Sequence, residues 1–192
     1  MHPIPGWIDL KMKVARPVLA VCTAAPTITG TAAVGSVLTR GAGVWTLTPT
    51  VTWAWLRNGI QIKVEAGATY TQVALDAGKR ITLRERASIT AGVQYASSLP
   101  VNTIPQSTTA PVIAGTATVG STLKITAKGV WVGANTVTWV WQRTGVTITG
   151  TANLPAYTLV AADAADTITV LETATGLNLA TNTRASNGIV VP

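Results

Sequence analysis

Few residues of this chain could do chemistry, and they lie far apart in the sequence. His2 is the only histidine and Cys22 is the only cysteine among the 192 residues. A Ser-His-Asp or Cys-His constellation is hard to build from one histidine in a proline-rich terminus. The sequence contains no His/Cys cluster of the zinc-binding kind, and no glycine-rich phosphate loop. It therefore predicts a protein that is not an enzyme and that binds no cofactor.

The seven carboxylates include one closely spaced pair, Asp163 and Asp166. Such a pair can contribute to a calcium site, but a loop with one or two carboxylates is far more often a turn. We therefore interpret the pair as part of a turn and expect no metal.

Glu85 and Glu172 fall in phase with apolar residues, such as Leu83, that alternation assigns to the inner face of a strand. A carboxylate on a core face must accept hydrogen bonds or lie at the rim. We expect Glu85 to accept an indole N–H from Trp53 or Trp45, or backbone N–H groups. Both glutamates are interpreted as structural rather than catalytic.

A stretch of strand-forming residues dominates the sequence and occurs twice. Residues 51–59 read Val-Thr-Trp-Ala-Trp-Leu-Arg-Asn-Gly, and residues 137–145 read Val-Thr-Trp-Val-Trp-Gln-Arg-Thr-Gly. Period-two alternation places both indoles of each copy on one face, and the following turn residues end the strand. The predicted core tryptophans are Trp53 and Trp55 in the first copy and Trp139 and Trp141 in the second.

The repeat extends well beyond this stretch. The sequence that begins at Pro26 recurs at Pro111, 85 residues later. Two changes of one residue in this offset keep the copies aligned as far as the C-terminal part. Short strand-like runs separated by Gly, Asn, Asp and Pro predict an all-β sandwich in each copy. We predict an extended arm over 1–25, domains over 26–105 and 106–192, and a linker at about 105–110.

Both copies contain the motifs Ile-x-Gly-Thr, Val-Gly-Ser-x-Leu, Trp-x-Trp-x-Arg-x-Gly and Tyr-Thr. The first copy also contains Asp-x-Gly. Over residues 26–192 these motifs resemble the immunoglobulin-like repeats of bacterial surface proteins and tailed-phage virion proteins. The resemblance implies two tandem immunoglobulin-like β-sandwiches, with Trp55 and Trp141 on strand C. It implies no single function, since such modules serve as spacers, decorations and adhesive units.

The resemblance also places Leu83 and Val170 on strand F, where antibody domains carry a cysteine. The corner after strand E reads Asp-Ala-Gly at residues 76–78 but Asp-Ala-Ala at residues 163–165. The loss of glycine predicts a slightly different turn in the second copy.

The two copies differ in charge on the outward positions of strand F. The first copy carries Arg80, Arg84 and Arg86 at positions where the second carries threonine and leucine. One interpretation is a solvated edge that discourages aggregation between sheets. The other is a stripe that docks on an acidic partner surface.

Trp45 and Trp131 follow Gly-Val in turn-like segments of the two copies. Exposed indoles can stack on sugar rings, so both are candidates for contact with glycans. The alternative is that each covers one end of its own sandwich.

The predicted arm carries Trp7, Ile8 and Leu10 among three prolines. It is interpreted either as an anchor buried on a partner or as a loose terminus or extra edge strand. The lone Cys22 permits no intrachain disulfide. The apolar run around residues 18–21 is too short for a secretion signal or a membrane span, so neither is predicted.

The net charge of +7 is concentrated in the first two-thirds of the chain. The basic residues form no dense run, so a nucleic-acid partner is not expected. The sequence favours a phage head or tail decoration or accessory subunit that is anchored by its arm in a virion protein lattice and that also contacts copies of itself. The alternative is a bacterial surface or secreted adhesive module that binds host-surface glycans.

Overall fold

The structure, a computed structural model, describes residues 16–64 and 67–192, and describes only the backbone of residues 63 and 64. Trp7, Ile8 and Leu10 lie outside the described residues. The strands of the first half are β1 (Cys22–Ala24), β2 (Thr27–Thr29), β3 (Val37–Gly41), β4 (Val44–Trp45), β5 (Thr50–Arg57), β6 (Ile60–Val64), β7 (Thr69–Thr71), β8 (Arg80–Ile89), β9 (Gly92–Ser97) and β10 (Val101–Asn102).

The second half repeats this order of strands. Its strands are β11 (Gln106–Thr109), β12 (Val112–Ala114), β13 (Thr122–Ala127), β14 (Val130–Val132), β15 (Thr136–Arg143), β16 (Val146–Thr147), β17 (Ala156–Thr158), β18 (Thr167–Thr175), β19 (Thr181–Ala185) and β20 (Ile189–Val190). A single 3-10 turn precedes β8 and another precedes β18, at Ala74–Asp76 and Ala161–Asp163.

Each half is a sandwich of two antiparallel sheets. In the first half β2, β3 and β7 form one sheet, and β5 and β8 form the centre of the other with β6 on one side and β9 and β10 on the other. β12–β13–β17 and β16–β15–β18–β19 repeat this arrangement, with β20 also paired to β18. The chain is an all-β protein of two tandem immunoglobulin-like β-sandwiches, called domain 1 and domain 2 below.

The predicted tryptophans occupy the cores because alternation aims them between the sheets. Trp55 and Trp141 are fully buried, and Trp53 and Trp139 are partly buried against the same clusters. Trp55 packs on Tyr70 with ring centroids 5.7 Å apart. Full burial of an indole is among the larger contributions that one side chain makes to a domain of this size.

The domain boundaries differ from those predicted from the sequence. β1 pairs with β4, so residues 22–24, which the analysis assigns to the arm, form part of domain 1. β11 pairs with β14 in the same way, so the predicted linker is the first strand of domain 2. The repeat begins four residues before Pro26: Thr23 Oγ1 donates to Val44 O, and Thr108 Oγ1 donates to Val130 O. Two of the four residues before Pro26 match those before Pro111, Thr23 with Thr108 and Ala25 with Ala110, but a stretch that short carries little signal.

The corner after strand E has the same backbone in both domains. Gly78 has a φ of 67°, and Ala165 at the equivalent position also has a φ of 67°. The different turn that the sequence analysis predicts is therefore not found. A glycine is needed in domain 1 for another reason: a Cβ on Gly78 would lie 1.9 Å from the carbonyl oxygen of Gly133 in domain 2.

The two domains meet through backbone rather than through large side chains. A Cβ on Gly133 would lie 2.1 Å from Ala77 O, and a Cβ on Gly176 would lie 2.7 Å from Gly78 Cα. Asn178 Nδ2 donates to Lys79 O at 2.9 Å and to Thr103 O at 3.0 Å. Such close backbone approach is one of the uses of glycine, and the two amide hydrogen bonds fix the direction of approach.

Gly78→Ala is predicted to separate the domains, because its methyl group cannot fit against Gly133. Amide residual dipolar couplings of the full chain should fit one common alignment tensor in the wild type and two tensors in the variant. Gly35→Ala is the matched control, since Gly35 also has a positive φ (85°) but a Cβ there meets nothing within 4 Å. It should lose about 1 kcal/mol through backbone strain and keep one tensor. A single tensor in Gly78→Ala would contradict the account of the joint.

Candidate functional site

The arginine stripe lies on the face of a sheet and not at its edge. β8 is paired on both sides, with β5 and with β9 and β10, so its outward side chains project from the middle of the sheet. The interpretation of these charges as protection of an edge strand does not fit this position. Arg80 and Arg86 are exposed, and Arg84 is half-buried.

The three arginines do not form one site. Arg80 borders a cleft beside domain 2, which Asn58 and Asn178 also line. Arg84 and Arg86 lie farther along β8, about 13 Å or more from Arg80 at 3.3 Å per residue. They border a second depression at the middle of the sheet.

This second depression combines charge with an aromatic ring. Tyr95 lies directly opposite Arg86 on β9, and 59% of its surface is exposed. The guanidinium carbon of Arg84 lies 5.5 Å from the centroid of the Tyr95 ring. Thr52 and Gln61 line the same depression. We call these five residues the basic-aromatic face.

Domain 2 presents a neutral surface at the equivalent place. The positions of Arg84 and Arg86 are taken by Leu171 and Thr173, and the position of Tyr95 is taken by Thr183, which pairs with Thr173. The strand F pattern predicts the arginines but not Tyr95, which lies on another strand. The signal was present: β9 is the strand after strand F, and Tyr95 has no aromatic counterpart in the second copy.

The basic-aromatic face presents groups that can bind anions. Guanidinium groups bind carboxylates, phosphates and sulfates through paired N–H donors, and a tyrosine ring stabilises a neighbouring cation. Within residues 16–64 and 67–192, no group of three His, Cys, Asp or Glu side chains is placed to hold a metal ion. No helix of that part of the chain is both long enough and apolar enough to cross a membrane.

Glu85 is fully buried and is held by three kinds of donor. Trp45 Nε1 donates to Glu85 Oε2 at 2.9 Å, and the Gly43 N–H donates to both carboxylate oxygens at 3.2 Å. Arg40 forms an ion pair with Glu85 and lies over the Trp53 ring, 4.0 Å from its centroid. Of the donors proposed from sequence, Trp45 and a backbone N–H bind the carboxylate, and Trp53 donates elsewhere, to a backbone carbonyl.

Glu172 has the same place in domain 2 but lacks the arginine. Trp131 Nε1 donates to Glu172 Oε2 at 2.9 Å, and the Gly129 N–H donates to both oxygens at 3.1 Å. Ile125 stands at the position of Arg40. The ring of Trp139 is covered instead by Lys128, whose Nζ lies 4.3 Å from the ring centroid.

These contacts bear directly on the candidate glycan residues. Trp45 and Trp131 are half-buried, and each uses its only hydrogen-bond donor on a buried glutamate of its own domain. Neither indole N–H is available to a sugar hydroxyl.

A second buried carboxylate, Asp76, links its own turn to strands β5 and β7 near the domain joint. It accepts the Val73 N–H, the Tyr70 hydroxyl and Arg57 Nε at 2.6–2.7 Å. Asp163 makes the equivalent hydrogen bonds with Val160, Tyr157 and Arg143. The motif residues Arg, Tyr and Asp of each repeat are therefore in contact. Asp163 accepts hydrogen bonds in its own turn and from its own domain.

Burial and the neighbouring aspartate change the ionisation of the tyrosines. Burial, together with the hydrogen bond to Asp76, raises the pKa of Tyr70 to about 12. The same causes raise the pKa of Tyr157 in domain 2. Burial opposes ionisation of Asp163, but hydrogen bonds from Val160 N–H, Arg143 and Tyr157 outweigh it and hold its pKa below the usual value.

Replacing the two glutamates should have unequal effects on stability. Glu85→Gln leaves Arg40 without a counter-charge at a largely buried site, whereas Glu172→Gln leaves no cation unpaired. We expect the first substitution to lower the free energy of unfolding by about 1–3 kcal/mol more than the second. Urea unfolding followed by tryptophan fluorescence measures both. Equal losses would show that the Arg40 pair contributes nothing to the stability of domain 1.

The raised pKa of Tyr70 predicts a loss of stability at high pH. The folded state favours the neutral phenol, so its contribution is complete below the unfolded pKa of about 10 and is lost as pH rises through the folded pKa of about 12. Tyr70→Phe should remove this component from the dependence of domain 1 stability on pH between those values. A parallel decline in both proteins would contradict the assignment.

The solved structures similar to this chain are tandems of immunoglobulin-like domains. An I-band fragment of titin has 13% sequence identity and a TM-score of 0.40, covering 87% of this chain and 64% of the fragment. An ectodomain fragment of ICAM-5 has 16% identity and a TM-score of 0.45, covering 89% of this chain and 53% of that one. Immunoglobulin domains of Sidekick-1 have 19% identity and a TM-score of 0.25, covering 80% of this chain and 37% of theirs.

The chain thus spans less than two-thirds of the length of these three structures. The fold assignment stands on the strand order and register described above, and the likeness says nothing about function. No protein-family model matches the sequence, and no curated protein matches it.

Proposed function

We propose that this chain is a non-enzymatic virion structural protein, a phage head or tail decoration or accessory subunit. The N-terminal arm and domain 1 attach it to the protein lattice of the particle, and domain 2 projects outward. Tandem immunoglobulin-like domains are typical of adhesion and structural modules, and the proposal chooses one use within that class.

The observation that carries the proposal is the difference between two otherwise matching outer faces. Domain 1 places Arg84, Arg86 and Tyr95 where domain 2 places Leu171, Thr173 and Thr183. The two buried carboxylates of domain 1 are held by the same hydrogen bonds as their counterparts in domain 2, and only the ion pair of Arg40 with Glu85 has no counterpart. A difference confined to an exposed face is therefore not required by the fold, and it supports a partner for domain 1 with an acidic surface.

The direction of the chain also supports this arrangement. Residues 19–21 lie at the end of domain 1 away from domain 2: a Cβ on Gly92 would touch Leu19, and Val21 exchanges hydrogen bonds with Thr46. The described chain therefore enters domain 1 at the end opposite to the joint, and the predicted arm, with Trp7, Ile8 and Leu10, precedes that point in the sequence. A chain held by its arm and by the face of domain 1 would carry domain 2 away from the lattice.

Co-sedimentation with virus particles that lack this protein tests the proposal. The full chain should pellet with the particles. Replacing Trp7, Ile8 and Leu10 by alanine should weaken binding, and so should Arg84→Leu combined with Arg86→Thr, which copies the domain 2 residues. Each change should reduce the bound fraction at least about tenfold, as the loss of about 1.4 kcal/mol would do.

The control variant removes the same charge from domain 2. Lys124 and Arg184 are both exposed, and replacing both by threonine should leave the bound fraction unchanged. Equal binding by all four proteins would contradict the proposal. Binding to host cell envelopes that soluble sugar reverses would favour the alternative, an adhesive module, in which Trp45 and Trp131 contribute only their ring faces.

A further inference from the structure

Domain 1 has an apolar groove along β2. The groove lies between β2 and the bend that precedes β10, encloses about 340 Å³, and is lined mainly by Pro26, Ile28, Leu99, Pro100 and Val101. Leu99 is 87% exposed, which is the largest exposure among the large apolar side chains of the described residues. An exposed apolar groove on a sandwich edge is typical of a surface that another segment covers.

Domain 2 closes the same place with a polar clasp. Asn187 Nδ2 donates to Ile113 O at 3.0 Å, and the Ile113 N–H donates to Asn187 Oδ1 at 2.9 Å. This side chain therefore satisfies the outer backbone edge of β12 as a neighbouring strand would. Ile113 beneath it is only 2% exposed.

Leu99 occupies the position of Asn187 in domain 1. Ser98 and Ser186, which precede them, are bound alike: each serine Oγ accepts the N–H of strand F, from Leu83 and Val170 respectively. A leucine side chain can neither donate nor accept a hydrogen bond. The N–H and C=O of Ile28, which is equivalent to Ile113, therefore lack this clasp, and Ile28 is correspondingly only half-buried.

No residue of 16–64 or 67–192 pairs with the outer edge of β2, and such an edge beside an apolar groove accepts an added strand. The backbone of such a strand satisfies the edge, and alternate side chains fill the groove. The sequence before the described residues contains one segment with this pattern. Ile8, Leu10, Met12 and Val14 alternate with Asp9, Lys11 and Lys13. A strand of that sequence has one apolar face and one charged face.

We propose that residues 8–14 of this chain dock as an extra strand on the outer edge of β2 in the free protein, with Ile8, Leu10, Met12 and Val14 toward the groove. Leu19 and Val21 already contact domain 1, so only residues 15–18 join the segment to it, and they can span up to about 14 Å. A connection that short gives the segment a high effective concentration at the groove of its own chain.

The docking of residues 8–14 does not depend on the virion proposal. It does affect how the arm could bind a lattice. Ile8 and Leu10 cannot lie in the groove and on a partner lattice at the same time. If both proposals hold, binding to the lattice releases the arm from its own domain, and the docked arm covers an open edge until then.

Amide hydrogen exchange of the full chain in solution, without particles, tests the docking. In the wild type, the alternate amides of residues 8–14 that point toward β2, and the amide of Ile28, should exchange at least about tenfold more slowly than the same sequence in an unstructured peptide. Leu99→Asn with Pro100→Gly transfers the polar clasp of domain 2 into the groove. It should return residues 8–14 to the peptide rate while Ile28 stays protected.

Two further variants make the result decisive. Replacing Ile8, Leu10 and Met12 by lysine should expose Ile28 to exchange without altering the domain 1 core, measured at Leu83. Asn187→Leu should deprotect Ile113, because domain 2 has no segment that replaces its clasp. Unprotected residues 8–14 in the wild type would overturn the proposal, and so would protection that disappears on dilution, which would mean docking on a second copy.

Discussion

The backbone contact between Gly78 and Gly133 is the constraint on which the arrangement of the two domains depends. The two glycines approach so closely that a methyl group on either would overlap the other chain segment. Asn178 adds hydrogen bonds to two carbonyls of domain 1. A joint of this kind permits few relative orientations, so the two outer faces of the molecule keep a fixed relation to each other. Ala165 has the same backbone conformation as Gly78, which shows that the turn itself tolerates a side chain.

The internal repeat separates what the fold requires from what it does not. The buried pairs Glu85–Trp45 and Glu172–Trp131 are matched in distance, and so are the hydrogen bonds to Asp76 and Asp163. Interactions present in both copies serve the sandwich. The unmatched features are on the surface of domain 1: the basic-aromatic face on one sheet and the Leu99 groove on the edge. Both proposals rest on these differences.

Period-two alternation was sufficient to predict much of the fold from the sequence. It placed Trp55 and Trp141 in the cores and Glu85 on the inner face of strand F, opposite Trp53. It could not show that β1 and β11 pair with β4 and β14, because strands of three or four residues are too short to carry an alternating pattern. The role of Gly78 was also hidden, because it depends on a contact with residue 133 in the other domain. Tyr95 and Leu99 became visible only when register aligned them with Thr183 and Asn187.

Domain 1 is proposed to face a partner lattice while domain 2 projects from it at a fixed angle. Electron cryomicroscopy of virions with and without this chain tests it most directly. The account predicts added density in which the face bearing Arg84, Arg86 and Tyr95 lies against the particle and both domains are resolved at one mutual orientation. No added density, or density with domain 2 against the particle, would contradict it.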